Sequence, residues 1–121
     1  MSDRPTDIVA VIPAYRAAAH VAEVITGTLP HLRVIVVDDG SDDDTGEAAR
    51  AAGAEVLRQE PNQGKGAALR RGFREALRGG AEAVVTLDAD GQHDPACVPD
   101  FIGRWRETGA PLIIGRRDFS Q

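Results

Sequence analysis

The chain has 121 residues, 42% hydrophobic and 27% charged, with a formal net charge of −5, which describes one globular domain long enough to bury a core. The acidic balance argues against a general nucleic-acid binder. The single cysteine, Cys97, excludes an intramolecular disulfide and fits a reducing compartment, and no apolar run approaches the roughly 18 residues of a membrane span.

Residues 7–13, DIVAVIP, form a short β-branched apolar run and predict a first strand. A helix over 17–29 follows, with Val21, Val24, Ile25 and Leu29 at helical spacing before Pro30. RVIVVDDG, 33–40, is continuously apolar up to its aspartates, as expected of a strand buried on both faces in a parallel sheet. The next helix is expected over 41–53, with Ser41 as its cap and Asp44 completing a capping-box pattern. AEVLRQ, 54–59, is a weaker third strand. A third helix runs from about 64 to 78 with Leu69, Phe73, Ala76 and Leu77 on one face, and Gly79-Gly80 ends it. EAVVTLD, 82–88, predicts strand four. Asp94-Pro95 looks like an N-cap and first helical position, and Val98, Phe101, Ile102 and Trp105 form an apolar stripe; PLIIG, 111–115, predicts strand five. Cys97 falls on that last helix, as a core or half-buried residue. The alternation of strands and helices predicts a single domain over 1–121: α/β, Rossmann-like, with a mainly parallel five-stranded sheet and helices on both faces.

The polar anomalies share one location. Pro13-Ala14-Tyr15 follows strand one, Asp38-Asp39 strand two, Asp88 and Asp90 strand four, and Arg116-Arg117 strand five. All lie at carboxyl ends of strands, the edge where open α/β sheets bind ligands. Two carboxylates one residue apart, Asp88 and Asp90, repel unless a cation sits between them. Oxygen-only ligands suit Mg²⁺ or Mn²⁺, and Gln92 can add a carbonyl oxygen. Asp39 suits a sugar hydroxyl or a nucleobase N–H, and Tyr15 suits stacking on a base. Asp42, Asp43 and Asp44 read as a solvated helix start, and His20 and His31 as surface residues. Lys65, in NQGKGAAL, either faces an anion from a helix start or is solvated; the spacing excludes a Walker A loop. His93 reads as a neighbour of the site or a loop residue.

VIPAYR, VVDDGSDDDT, NQGKGAALRRGF, LDADGQHDP and IIGRR, in this order, resemble family 2 glycosyltransferases of the GT-A fold. The nearest flavour is dolichol-phosphate mannosyltransferase and the bacterial polyprenyl-phosphate glycosyltransferases. The resemblance covers Ile8 to Arg117 and implies a UDP- or GDP-type sugar donor, Mg²⁺ or Mn²⁺, transfer with inversion, and a lipid-phosphate acceptor. It implies that Pro13 and Tyr15 border the base and that Asp38 and Asp39 serve the nucleoside. Lys65, Asp88 and Arg117 would serve the diphosphate, and Asp88-Ala89-Asp90, with Gln92, would be the metal-holding DxD motif. No residue is implied as the catalytic base. Two departures stand out. Arg116 replaces the serine usual in the lipid-phosphate group, and the strands and helices that form the acceptor half of this fold do not follow.

The chain therefore reads as a donor-binding half, cytoplasmic or peripheral at the cytoplasmic face of a membrane, completed by further chain, a partner or a second copy. A non-catalytic nucleotide-sugar-binding module is the alternative. A dehalogenase-type phosphatase fits less well, because LDADGQ has Gln92 where that signature wants threonine and falls after strand four. A receiver domain fits less well, because its acidic pair should follow strand one and its lysine strand five.

Overall fold

The computed structural model describes residues 8–89 and 112–114. Five strands, β1 (Ile8–Ala14), β2 (Arg33–Asp38), β3 (Glu55–Arg58), β4 (Ala83–Thr86) and β5 (Leu112–Ile114), form one sheet in the order β3-β2-β1-β4-β5. Every pairing is parallel. Three helices connect the first four strands: α1 (Val21–Thr28), α2 (Thr45–Ala51) and α3 (Lys65–Arg78).

The continuous apolar runs are explained by two cores. Along β1, Ile8, Ala10 and Ile12 join one core with Val34 and Val36 of β2 and with Val21, Val24 and Ile25 of α1. Val9 and Val11 join Ile35 and Val37 in a second core, under α3. Alternate strand residues point to opposite faces, so a strand covered on both sides needs apolar residues throughout. Ile8 through Ile12 are all fully buried, each large one contributing about 1.5–3 kcal/mol of transfer energy. The helix placement follows from handedness. β1→β2→β3 steps one way across the sheet and β3→β4 steps back over it. Crossovers of one hand must then put α1 and α2 on one face and α3 on the other.

α3 meets the sheet through small residues. Ala68, Gly72 and Ala76, four apart, are buried, while Leu69 and Phe73 are half-buried flanks. A Cβ on Gly72 would lie 2.3 Å from Val11 Cγ1. Leu77, expected on the inner face, is 60% exposed, because the close seam is set by the small residues and turns Leu77 outward. Gly72→Ala is therefore expected to destabilise the fold by about 1–2 kcal/mol, overpacking outweighing the gain in helix propensity. Gly66→Ala, whose Cβ would meet only the tip of Arg70 at 3.6 Å, should be near neutral. Urea melts of the two variants compare them directly.

The second helix starts later than its sequence suggests. α2 begins at Thr45 with Asp44 at the N-cap position, and the Asp44 side chain makes no cap bond. Ser41 does not cap: its Oγ accepts the backbone N–H of Arg16, 2.9 Å away. Instead Asp43 accepts from the backbone N–H and the hydroxyl of Thr45. That hydroxyl, then the backbone bond, hold the Asp43 carboxyl below the ordinary range.

Between β2 and β3, Arg33 forks onto Glu55 at 2.5 and 2.9 Å and lowers the Glu55 carboxyl below its usual range by that hydrogen bond. A depressed carboxyl stabilises the fold above its unfolded pKa, near 4.3, and loses that contribution as pH falls through the folded value. Stability should thus decline on acidification below about pH 4.3 less steeply in Glu55→Gln than in the parent chain. The pair is half exposed, so the difference at neutral pH stays under about 1 kcal/mol; denaturant melts from pH 7 to 3 measure it.

Among the described residues no helix is long and apolar enough to cross a membrane. Asp90, Gln92, His93, Asp94, Cys97, the 98–105 stripe, Arg116 and Arg117 lie outside the described residues.

Candidate functional site

The strand order reverses between β1 and β4, and there the sheet opens. β1 pairs with β2 as far as Ala14 and Asp38, but with β4 only as far as Val11 and Thr86. The Val11 carbonyl accepts the Leu87 N–H and the Ala14 carbonyl accepts the Asp39 N–H. Position 13 therefore faces the β4 side, two residues past the last ladder partner, Val11. A proline, which has no N–H to lose, fits that place. The gap widens into a cleft of about 420 Å³ lined by Pro13–Ala17, His20, Asp39, Asn62, Gly64, Lys65, Ala68, Asp88 and Ala89. Crevices at the carboxyl edge of such a switch point are where doubly wound sheets bind ligands.

Asp39 is the floor. Its side chain is buried, and both oxygens are engaged. Oδ1 accepts from Gln59 Nε2 at 3.0 Å and the Gln63 N–H at 2.8 Å; Oδ2 accepts from the Gly64 N–H at 2.9 Å. Asn62 Nδ2 donates to the Asp39 carbonyl, 2.9 Å away. These bonds pin the 61–64 loop against the end of β2. Gly40 makes the approach possible: it has φ 74°, and a Cβ there would sit 2.7 Å from the Asn62 nitrogen.

Asp38, adjacent in sequence, is not in this cleft. It points to the opposite face, where Oδ2 takes Arg58 Nη1 at 2.7 Å and Oδ1 the Ser41 N–H at 3.1 Å. Its side chain is 1% exposed. Asp38 thus ties β3 and the start of the β2–α2 loop together, and the period of two along a strand separates it from Asp39.

The rim carries the remaining side chains. Tyr15 is 46% exposed. The Arg16 guanidinium stands 5.0 Å from the Tyr15 ring centroid and forks onto Asp42 at 3.0 and 2.9 Å. That hydrogen bond raises the Arg16 pKa above its ordinary value. Arg16 takes φ 53°, a left-handed conformation unusual for a non-glycine residue. On the far side, Lys65 opens α3 and its Nζ lies 3.0 Å from Asp88 Oδ1.

Pro13, Tyr15, Asp39, Lys65 and Asp88 are thus brought to one cleft, and Asp38 is not. Arg16, His20, Asn62 and Gly64 line it too, though sequence reasoning passed them over or left them on the surface. The signal for Asn62 and Gly64 was present: a polar, glycine-containing loop entering a helix beside a strand edge. Nothing local marks Arg16 or His20.

As to a metal, Asp88 presents carboxylate oxygen to the cleft with a fifth of its side chain exposed, the donor chemistry Mg²⁺ and Mn²⁺ prefer. Asp39 does not offer itself, with both oxygens bonded to N–H groups. Among the described residues no cluster of three or more potential ligands occurs; Asp90 and Gln92 lie outside them.

The family model for glycosyl transferase family 2 matches residues 9–121. The undecaprenyl-phosphate mannosyltransferase of Micrococcus luteus is 34% identical over 118 residues, covering 91% of this chain and 48% of that protein. The polyprenol monophosphomannose synthase of Mycolicibacterium smegmatis is 34% identical over 125 residues, covering 94% and 46%. This chain therefore spans about half the length of those relatives. Among solved structures, glucosyl-3-phosphoglycerate synthase of Mycobacterium tuberculosis, in complex with Mn²⁺, UDP-glucose and phosphoglyceric acid, superposes with a TM-score of 0.67 at 32% identity, over 84% of this chain and 39% of that one. The parallel α/β sheet is thus the fold of these sugar-transferring enzymes. With the family match running through the sheet and both walls of the cleft, this chain belongs to glycosyl transferase family 2.

Proposed function

We propose that the cleft binds a nucleotide-diphosphate sugar, of UDP or GDP type, as the donor site of a glycosyltransferase that depends on Mg²⁺ or Mn²⁺. The observation that carries the reading is the cleft at the β1/β4 switch point, where an exposed aromatic ring, a buried carboxylate and a lysine–aspartate pair face one space. Tyr15 offers a face for the base, beside Pro13. Asp39 has about four acceptor sites, three of them used within the chain; the fourth suits a base N–H or a ribose hydroxyl. Lys65, at the positive end of α3, suits the diphosphate, as does Arg117. Asp38 serves the nucleoside at one remove, by fixing the end of β2.

Asp88, with Asp90 and Gln92, would hold the divalent cation, which supplies charge neutralisation to the departing diphosphate. The chain's own groups bind and orient: the Asp39-pinned loop fixes the backbone entering α3, from which Lys65 reaches, and the Arg16–Asp42 fork holds the Tyr15 rim. For the acceptor, the named activities of the mannosyltransferase relatives favour a polyprenyl phosphate; inversion at the sugar carbon is what the family resemblance implies for the transfer. Such a phosphate is already a nucleophile and needs little help from a base. A cytoplasmic place, peripheral at the membrane face, fits that acceptor.

The test is a thermal shift with UDP, GDP and their sugar conjugates, with and without Mn²⁺. Ligand at about a hundred times its Kd should stabilise the fold by roughly 2.7 kcal/mol. A rise with one nucleotide that needs Mn²⁺ is expected and names the base. A clean transition unmoved by every nucleotide would overturn the reading. Binding without any transfer to a lipid phosphate would favour a nucleotide-sugar-binding module instead.

A further inference from the structure

The contact between Lys65 and Asp88 joins two elements far apart in sequence, the first turn of α3 and the end of β4, at 3.0 Å. It is asymmetric. Asp88 keeps 20% of its side chain exposed and Lys65 keeps 65%. The carboxylate sits on a short stem at a strand end, whereas the ammonium rides on a flexible four-carbon stem in solvent. Of the two, Lys65 is the partner able to swing away. Both line the cleft.

We propose that Lys65 is a built-in counter-ion of Asp88 that gives way when a diphosphate enters, and that it thereby couples divalent-cation binding to nucleotide binding. This rests on the donor-site reading above. A carboxylate shared by an ammonium and a divalent cation brings like charges within a few ångströms in a cleft where water screens incompletely. Lys65 therefore weakens Asp88 as a ligand for a bare cation. A diphosphate carries enough negative charge for both. Lys65 transfers its contact to a phosphate oxygen, and the cation takes the place of the ammonium beside Asp88 Oδ1. Each ligand then raises the affinity of the other by the same factor, as linkage requires. Lys65 is a positioning residue here, and it makes the chain discriminate a metal–diphosphate pair from either alone.

The test titrates Mn²⁺ alone, UDP or GDP alone, and each nucleotide with saturating Mn²⁺, into the full chain and into Lys65→Met and Lys65→Arg. Heat and the free-Mn²⁺ resonance signal are the readouts. Methionine keeps most of the stem and drops the charge. Lys65→Met should bind Mn²⁺ alone roughly five-fold tighter, the scale of a partly exposed ion pair. It should bind the nucleotide diphosphate more weakly, so that the coupling factor shrinks. Lys65→Arg should keep the coupling. Unchanged Mn²⁺ affinity in Lys65→Met, or an unchanged coupling factor, overturns the counter-ion role while Mn²⁺-dependent nucleotide binding by the parent chain leaves the donor site standing. Absence of that binding in the parent chain overturns both. The melting transition of Lys65→Met, a substitution at an exposed position, confirms that the variant is folded.

Discussion

Asp39→Ala should cost about 3 kcal/mol of stability and release the wall of the cleft formed by residues 61–64. The substitution removes the acceptor for Gln59 Nε2 and for the backbone N–H groups of Gln63 and Gly64. Hydrogen bonds to a charged group are worth about 1.5–3 kcal/mol each, and each donor left dry costs about 1–3 kcal/mol. The loop can move outward and let water reach its N–H groups, which brings the sum down to the stated figure. Asp39→Asn should lie between: its carbonyl oxygen can keep two donors, but its NH₂ then faces a third N–H. Urea melts give the stabilities, and amide exchange at Gln63 and Gly64 should rise in step. Unchanged protection of those two amides in Asp39→Ala would show that the loop is held by something other than Asp39.

Asp88→Asn should do the reverse, sparing the fold and abolishing the metal-dependent part of nucleotide binding. The side chain keeps its shape and loses its charge. Its ion pair with Lys65 is largely exposed on the lysine side, so stability should change by less than about 1 kcal/mol. Changing a residue that merely hydrogen-bonds a metal ligand costs about 10–100-fold in affinity, and loss of a ligand's own charge should cost no less. Asp90→Ala should behave alike if the two aspartates share one cation. Mn²⁺-dependent UDP or GDP binding, measured on the folded variants, decides the matter. Retained metal dependence in both would remove the aspartates from the cation site.

The two substitutions separate tasks that the sequence presents alike, as acidic residues after apolar strands. The run at 33–40 reads as a strand covered on both faces, and β2 is buried so; the runs at 7–13 and 82–88 read as strands, and β1 and β4 form within them, β4 with every residue buried. The gathering of Pro13, Tyr15, Asp39 and Asp88 at one edge followed from strand direction alone, because parallel strands bring their carboxyl ends together. Even the parting of Asp38 from Asp39 was implicit in the period of two, though the sequence reading placed both at the nucleoside.

Other features were beyond local pattern. Leu77 fits an apolar stripe by spacing, but the seam chosen by Ala68, Gly72 and Ala76 against Val11 left it outside. Ser41 fits a cap by residue type, but a long-range bond from Arg16 claimed its hydroxyl. Local propensity weighs such options within about 1 kcal/mol of each other, and a tertiary contact easily tips them.

The class of fold, the edge at which the cleft residues gather and the family were all legible in the linear order of residues. Periodicity, strand burial and motif order are local properties that survive without knowledge of neighbours. Only the packing of the elements settled that Asp39 pins the 61–64 loop, that Arg16 and His20 enter the cleft, and that Lys65 meets Asp88. Those contacts join residues 20 or more positions apart: the Asp39 bonds exist because β3 lies beside β2 and brings residues 59–64 to its end, and the Lys65–Asp88 contact because the start of α3 meets the turn after β4.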